Sequence, residues 1–467
     1  MNFALHGCLL HGDPSPRRGE AGRGDRRETR CAFVSTNSIT QGEQVGALWP
    51  DLLQRGVHIH FAHRTFAWSS EARGKAAVHC VIIGFYLPSP TGESEARGAK
   101  PAGGEGGAKR LFDYETLKAE PHELPAGNIN PYLVDGPDVV LQRRSKPLCP
   151  VPGIGIGSQP IDDGNFLFTP GEKADFLALE PDAALYFHRW LGSDEFINGY
   201  ERWCLWLGDR PPEQLRKMPE AMKRVQAVRK FRLSSKRKQT LAAAATPAHF
   251  GTELIPAHTY LLIPKVSSER RLYIPIGFVH PDTFCSDLVF MLPNAALYHF
   301  GILQSAMHMA WTRAVCGRLK SDYRYSAGIV YNNFPWPEVL PSPQAIPSPQ
   351  PPPGGRGSVL LPPPGGGRAG GTASIVAIET AAQAVLDARA NHPGATLADL
   401  YDPLTMPPDL TQAHRMLDAA VDAAYAKKKF TGDADRVAFL FELYRRLAGN
   451  SNPLDYAGEP ANPTYPD

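Results

Sequence analysis

The seven cysteines of this 467-residue chain include no Cys-x-x-Cys pair. Cys8, Cys31, Cys80, Cys149, Cys204, Cys285 and Cys316 are scattered, which argues against a zinc ribbon or a disulfide framework and fits a reducing cytosol. No run of about eighteen apolar residues occurs, so nothing is expected to span a membrane. The opening "MNFALHGCLLHGD" has a short apolar stretch and no basic n-region, and does not read as a secretory signal. Excess charge is also lacking: the net charge is only +2, so any nucleic-acid surface has to be local. No G-x-S-x-G, P-loop or H-E-x-x-H motif occurs. The remaining composition, 43% hydrophobic and 21% charged, suits a soluble globular protein of two to four domains.

Three stretches break the globular texture: "PSPRRGEAGRGDRRE" (14–28), "PSPTGESEARGAKPAGGEGGAKR" (88–110) and "PSPQAIPSPQPPPGGRGSVLLPPPGGGRAGG" (341–371). Such segments bury too little apolar surface to offset chain entropy and are expected to be disordered. Their shared opening suggests one nucleotide element translated in three places, or three independent linkers. The resulting divisions are 1–30, 31–87, 88–110, 111–340, 341–372, 373–449 and a tail at 450–467.

Residues 31–87 read strand, helix, strand, strand, with Gly56 stopping the helix and "SSEARGK" joining the last two strands. Residues 111–340 are mixed. Within them "YFHRWLGSDEFINGYERWCLWL" reads as helical and "AHTYLLIPKVSSERRLYIPIGFV" as a hairpin. "NAALYHFGILQSAMHMAWTRAVCGRL" reads as one long helix, and residues 373–449 are helical again. The fold class is therefore α/β followed by mixed α+β.

Several motifs invite chemistry and have plainer readings. "HIHFAH" gathers His58, His60 and His63, but on a regular strand His63 faces away from the other two. That favours a polar strand edge over a metal site. "PGIGIGSQP" lacks the following helix of a dinucleotide loop, so an irregular loop is expected. "NPY" (130–132) and "NNFPWP" (332–337) only partly match the Asn-Pro-Pro-aromatic motif of amino-methyltransferases and read as turns with anchoring aromatics. Asp162 and Asp163 in "IDDG" read as turn residues.

The strongest physical signal is "RKMPEAMKRVQAVRKFRLSSKRKQ" (216–239), with ten basic residues against one acid, Glu220. Basic pairs recur at Arg216/Lys217, Lys223/Arg224 and Arg229/Lys230, while Met218, Met222, Val225 and Val228 can form an apolar stripe. A helix greasy on one side and cationic on the other suits packing on a core while gripping phosphates; an ordinary solvated basic helix is the alternative. The second signal is "GRLKSDYRYSAGIVYNNFPWP" (317–337). If extended, Lys320 and Asp322 point the same way. The pair could then read one G·C base pair, Lys donating to guanine O6/N7 and Asp accepting from cytosine N4. A surface ion pair is the alternative.

"FVSTNSITQGEQV", "IHFAHRTFAWSSEARGKAAVHCVIIGF", "IGSQPIDDGNFLF" and "SDYRYSAGIVYNNFPWP" together resemble the MmeI-like family, single-chain bacterial DNA adenine methyltransferases of restriction-modification systems. The resemblance covers most of 31–340 and 373–449. It implies that 31–87 holds the last strands of a class I methyltransferase sheet, 111–340 a target recognition domain, and 373–449 the C-terminal helical region. It implies a cytoplasmic enzyme using S-adenosylmethionine on double-stranded DNA. Phe66 matches the aromatic that stacks on a flipped-out base in related enzymes. Lys320 and Asp322 match a base-reading pair, with Tyr323, Arg324 and Tyr325 near the DNA backbone. Lys223, Arg224 and Lys230 are DNA-binding candidates from the charge of the basic helix alone. The family's Gly-rich cofactor loop and its Asn-Pro-Pro-aromatic motif would both precede Phe33, and residues 1–32 carry neither. The expectation is a C-terminal fragment, inactive by itself, completed by a separate catalytic chain or left as a relic.

Overall fold

The computed structural model describes residues 29–68, 78–87, 108–338, 369–425 and 429–449. Residues 14–28, the "SSEARGK" loop, most of the other two Pro-Ser-Pro stretches and the 450–467 tail lie outside them. The described residues fall into two compact units, one within 1–142 and 441–467 and the other within 143–440.

The first unit is built on β1 (Thr29–Thr36), a 3₁₀ turn (Asn37–Thr40), α1 (Glu43–Gln54), β2 (His58–Trp68), β3 (Val78–Leu87), β4 (Lys109–Tyr114) and β5 (Pro121–Ala126). The expected strand–helix–strand–strand series is present, and Gly56, at a positive φ of 81°, ends the helical segment. The sheet order is β1-β3-β2-β4-β5. Neighbours are antiparallel except β2 and β4. The sheet therefore does not end at residue 87: β4 opens inside the expected 88–110 insert and β5 lies in the region assigned to the next domain. Leu111 of β4 is buried and so continues the core started by Ile59, Ala62, Val81 and Ile83. Val45 and Trp49 of α1 are also buried, and the Trp49 indole N–H donates to the Ile39 carbonyl (2.7 Å).

β2 carries two bulges, between Ile59 and Phe61 and between His63 and Phe66. They break the alternation on which the histidine reading relied. Gly84 opposite Phe61 is needed for space, since a Cβ there would lie 2.0 Å from the Phe61 ring. Among the described residues β1 pairs only with β3, and Cys31 to Val34 are exposed along it.

The second unit begins with β6 (Gly155–Ile156), β7 (Leu167–Phe168), α2 (Pro170–Leu179), β8 (Phe187–Leu191), α3 (Ser193–Asn198) and β9 (Trp203–Leu205). Then come α4 (Pro212–Arg216), α5 (Pro219–Leu233), α6 (Lys238–Ala242), β10 (Tyr260–Pro264), β11 (Val266–Ser267), β12 (Gly277–Val279), β13 (Thr283–Cys285) and β14 (Val289–Pro293). It continues through α7 (Leu297–Leu303), α8 (Ala306–Val315), β15 (Gly317–Leu319), β16 (Asp322–Arg324), α9 (Ala369–Ala390), α10 (Leu397–Leu400), α11 (Pro408–Tyr425) and the first half of α12 (Asp433–Leu447), whose residues from Phe441 on are counted with the first unit. Its sheets are ordered β12-β10-β14-β6, β13-β8-β9-β7 and β11-β16-β15.

The aromatic segment 186–207 is two strands around a short helix, not a helix. Phe187, Trp190 and Leu205 are buried on the sheet, while the Glu195 carboxylate accepts from the Gly192 N–H and starts α3 there. The long helix expected at 294–319 breaks at Gln304–Ser305. The Ser305 hydroxyl donates to the Ile302 carbonyl (2.7 Å) and accepts from the His308 N–H, ending α7 and capping α8. The hairpin at 257–279 forms, pairing β10 with β12. The helices of 373–449 form too, with α9 starting slightly earlier, at Ala369.

The plainer readings of the partial motifs fit their contacts. The Asn130 side chain accepts from the Tyr132 and Val134 N–H groups, and Asn333 donates to the Gly328 and Ile329 carbonyls. Phe334 and Trp336 are buried anchors. Asp162 accepts from the Phe166 N–H (2.6 Å) within a turn where Ile161, Asp163 and Gly164 have positive φ. In "PGIGIGSQP" only Gly155–Ile156 is strand, and a Cβ on Gly157 would lie 2.2 Å from the Ser286 carbonyl oxygen.

Candidate nucleic-acid interface

The basic stretch folds as α4, α5 and α6. Met218, Ala221, Val225 and Val228 are buried in a core with Phe166, Phe168, Phe176, Phe187, Trp190 and Leu205, and Met222 packs against it. The expected apolar stripe is therefore the inward face of α5. The Glu180 carboxylate accepts from the Glu220 and Ala221 N–H groups (2.7 and 3.1 Å), so the positive end of α5 is neutralised from within. Any phosphate met by this helix would meet side chains, not the helix terminus.

Of the ten cations, eight are exposed: Arg216, Lys217, Lys223, Arg229, Lys230, Lys236, Arg237 and Lys238. Lys223 pairs with Glu220 at 2.6 Å in an exposed contact of small energetic weight. Two cations are structural. Arg224, expected to contact DNA, is half-buried: its guanidinium lies 4.1 Å from the Phe168 ring centroid and donates to the Asn165 carbonyl (2.8 Å). Arg232 is fully buried and donates to five backbone carbonyls. Sequence alone could not separate these two, although Arg232 recurs four and seven residues after Val228 and Val225, on the buried stripe.

Lys320 and Asp322 lie on the hairpin of β15 and β16. Lys320 occupies the turn at a positive φ of 57°, so the pair is not the extended segment assumed from sequence. Lys320 is exposed at the tip. Asp322 opens β16 opposite Leu319, half-buried. Arg324, exposed and two residues on, shares its strand face. Tyr323 and Tyr325 do not fit a backbone-facing role, because both are 3% exposed. The Arg318 guanidinium covers the Tyr323 ring at 4.0 Å, and the Tyr325 hydroxyl bonds His308 Nε2 at 2.9 Å. Tyr323 within β16 and Tyr325 just past its end alternate with Asp322 and Arg324 and turn to the interior.

In the first unit Phe66 is half-buried after the second bulge of β2. Its ring stacks on Tyr114 of β4 (centroids 5.4 Å apart), and the Tyr114 hydroxyl bonds His63 Nδ1 at 2.8 Å. His63 in turn stacks on Phe112 at 4.2 Å, with burial lowering its pKa. The bulge brings His63 and Phe66 onto one aromatic patch, which strand alternation hides. Tyr114 escaped sequence reading because it was assigned to the neighbouring domain.

Family profiles match three segments. They are described as MmeI, DNA-methyltransferase domain (residues 21–97), MmeI, target recognition domain (135–338) and MmeI, C-terminal domain (372–450). The chain belongs to the MmeI-like methyltransferase family. A curated relative, "DNA methyltransferase A" of Bacillus subtilis (strain 168), is 38% identical over 418 residues, covering 90% of this chain and 42% of the relative. A solved structure, of the Type IIL restriction-modification enzyme MmeI in complex with DNA, aligns at a TM-score of 0.73 and 45% identity. It covers 90% of this chain and 50% of the other, so the chain spans about half the length of the relatives it matches.

The described residues do not fit a cofactor loop for S-adenosylmethionine. Among the described residues no strand runs through a glycine-rich turn into a helix, and the β1–α1 connection at 37–42 contains a single glycine, Gly42. No helix among them is long and apolar enough to cross a membrane.

Proposed function

We propose that this chain is the DNA-recognising portion of a site-specific adenine-N6 methyltransferase of a restriction-modification system, and that the chain alone binds double-stranded DNA without methylating it. The observation that carries this reading is the clustering of eight exposed cations on and beside α5, a helix whose other face is core, within the segment matched by a recognition-domain profile. The five-stranded sheet of the first unit is then the last part of a methyltransferase sheet. The Phe66–Tyr114 patch is where a flipped base would stack.

The test is anisotropy titration of the 467-residue chain on duplex DNA at several salt concentrations. Log affinity should fall linearly with log salt, and each of Arg229→Ala, Lys230→Ala and Lys236→Ala should reduce the slope by about one. Incubation with labelled S-adenosylmethionine should leave DNA unlabelled. Label incorporation would refute the inactivity, and salt-insensitive or absent binding would favour a relic.

A second reading, completion by a separate catalytic chain, is supported by β1. Its exposed Phe33 (37%) and Val34 (53%) lie along an edge that is unpaired among the described residues and could accept further strands. Restored methylation on mixing with a chain bearing the Asn-Pro-Pro-aromatic motif would support it.

A further inference from the structure

The aromatic patch of the first unit is fixed from the backbone outward. Arg64 and Thr65, the two residues inside the second bulge of β2, are both anchored. Arg64 Nη1 donates to Asp113 Oδ2 at 2.6 Å and its Nε to the Leu133 carbonyl at 3.0 Å. The Thr65 hydroxyl accepts from Asn37 Nδ2 at 3.4 Å. Past the bulge, the Ala67 N–H donates to the Leu117 carbonyl at 2.8 Å. β2 is therefore tied to the chain on both sides of Tyr114, at Asp113 and at Leu117. Phe112 and Tyr114, two apart on β4, share a face. His63 touches both: its ring stacks on Phe112 and its Nδ1 bonds the Tyr114 hydroxyl. Tyr114 in turn lies against the Phe66 ring, the two planes 29° apart.

We propose that Tyr114 is a positioning residue for an unpaired base: anchored through its hydroxyl by His63, it backs the Phe66 ring and holds that ring in one orientation for stacking. The inference rests on the base-stacking reading of Phe66 above. Its physical content is preorganisation. A phenyl ring free to turn loses rotamer entropy on meeting a base, whereas a ring already held by a neighbour has lost it on folding. The two contacts of Tyr114 have separate tasks: its ring supports Phe66, and its hydroxyl fixes Tyr114 itself. Neither ring is enclosed, since Phe66 and Tyr114 are both half-buried. Trp68, 46% exposed and 6.4 Å from Phe66 between centroids, continues the row toward solvent. A row of rings partly open to water suits an unpaired base, because every base presents a π-face.

The experiment compares two duplexes by anisotropy titration with the 467-residue chain. One is fully paired; the other carries a single adenine opposite an abasic site, which removes most of the unpairing cost. Wild type should prefer the second by roughly tenfold, and Phe66→Ala should abolish that preference. Tyr114→Ala should lower it to about twofold. Tyr114→Phe, which removes one hydroxyl and keeps the ring, and His63→Ala should each lower it about threefold. The double variant should lose no more than either single one, because both changes break the same bond. Affinity for the paired duplex and its salt slope should not move. If Tyr114→Ala fails to fold, the hydroxyl deletion and the double variant still decide the matter. Equal weakening on both duplexes would make Tyr114 a packing residue and overturn the proposal, as would additive losses in the double variant. A wild type without preference for the unpaired adenine, or a preference that Phe66→Ala leaves intact, would overturn the base-stacking reading and this inference together. A preference that responds to Phe66→Ala but not to the Tyr114 and His63 variants overturns this inference alone.

Discussion

Replacing Arg232 with methionine should destabilise the protein by about 4 kcal/mol while leaving the salt dependence of DNA binding intact. The residue sits in the most basic stretch of the chain, yet it is 0% exposed. Its Nε donates to the Ile161 carbonyl (2.9 Å). Nη1 donates to Ala243 and Thr246 (2.9 and 3.1 Å), and Nη2 to Pro160 and His249 (2.8 and 2.7 Å). All five guanidinium N–H donors are therefore available for these five backbone carbonyls. Methionine keeps the stem and removes every donor. An acceptor left buried and unpaired costs about 1–3 kcal/mol, so the low end of that range over five carbonyls gives roughly 5 kcal/mol. Relief from desolvating the guanidinium offsets part of it, leaving about 4 kcal/mol. Arg232→Lys offers three donors for five acceptors and should cost about 2 kcal/mol. For a unit of this size the methionine change corresponds to a fall in Tm of about 8 °C. Thermal unfolding of the full chain, followed by anisotropy titration against salt, makes the measurement. A fall in Tm below about 2 °C, or a shallower salt slope in the folded variant, would refute the reasoning.

Acid should weaken the fold through His308, whose pKa burial depresses from 6.5 to about 3. A depressed histidine stays neutral when folded, so stability is full above pH 6.5 and is lost as pH falls toward 3. Asp418 acts oppositely: burial raises its pKa to about 6, so its contribution falls as pH rises from about 4 to 6. His308→Gln should therefore flatten the acid limb of a Tm–pH profile, and Asp418→Asn should remove a decline between pH 4 and 6. An acid limb unchanged by His308→Gln would show that the buried imidazole is not its source. Gly157→Ala should cost about 2 kcal/mol or more in chemical denaturation, because its methyl group would meet the Ser286 carbonyl oxygen at 2.2 Å. A neutral result would mean that this loop yields.

The first unit was legible up to residue 87 because its strands and helix are punctuated locally, by Gly56 and by short apolar runs. The sheet's continuation was not, because β4 pairs with β2 across a long sequence separation and low-complexity composition masks its start. The apolar stripe of α5 was readable from helical spacing. The fates of Arg224 and Arg232 were not, since their partners are rings and carbonyls brought in by tertiary folding. The aromatic run 186–207 misled because large apolar residues without clear periodicity suit a buried strand as well as a helix. The α7–α8 break hinges on one serine hydroxyl. Lys320 and Asp322 were placed on a shared face by assuming an extended backbone. The positive φ at Lys320 belongs to a turn that no composition signal announces, and the segment that follows it carries Tyr323 and Tyr325 inward.

β3 ends at Leu87 and β4 begins at Lys109, yet β4 joins the sheet beside β2 in regular parallel register from Phe61↔Arg110 to His63↔Phe112. The sheet closes across the intervening residues as though their number were immaterial. Loop-closure entropy grows only logarithmically, so doubling or halving such a connection changes stability by about 0.6 kcal/mol. The junction is thus a place where the gene can gain or lose codons almost silently, and homologues are expected to differ in length there while the strands on either side keep their pairing.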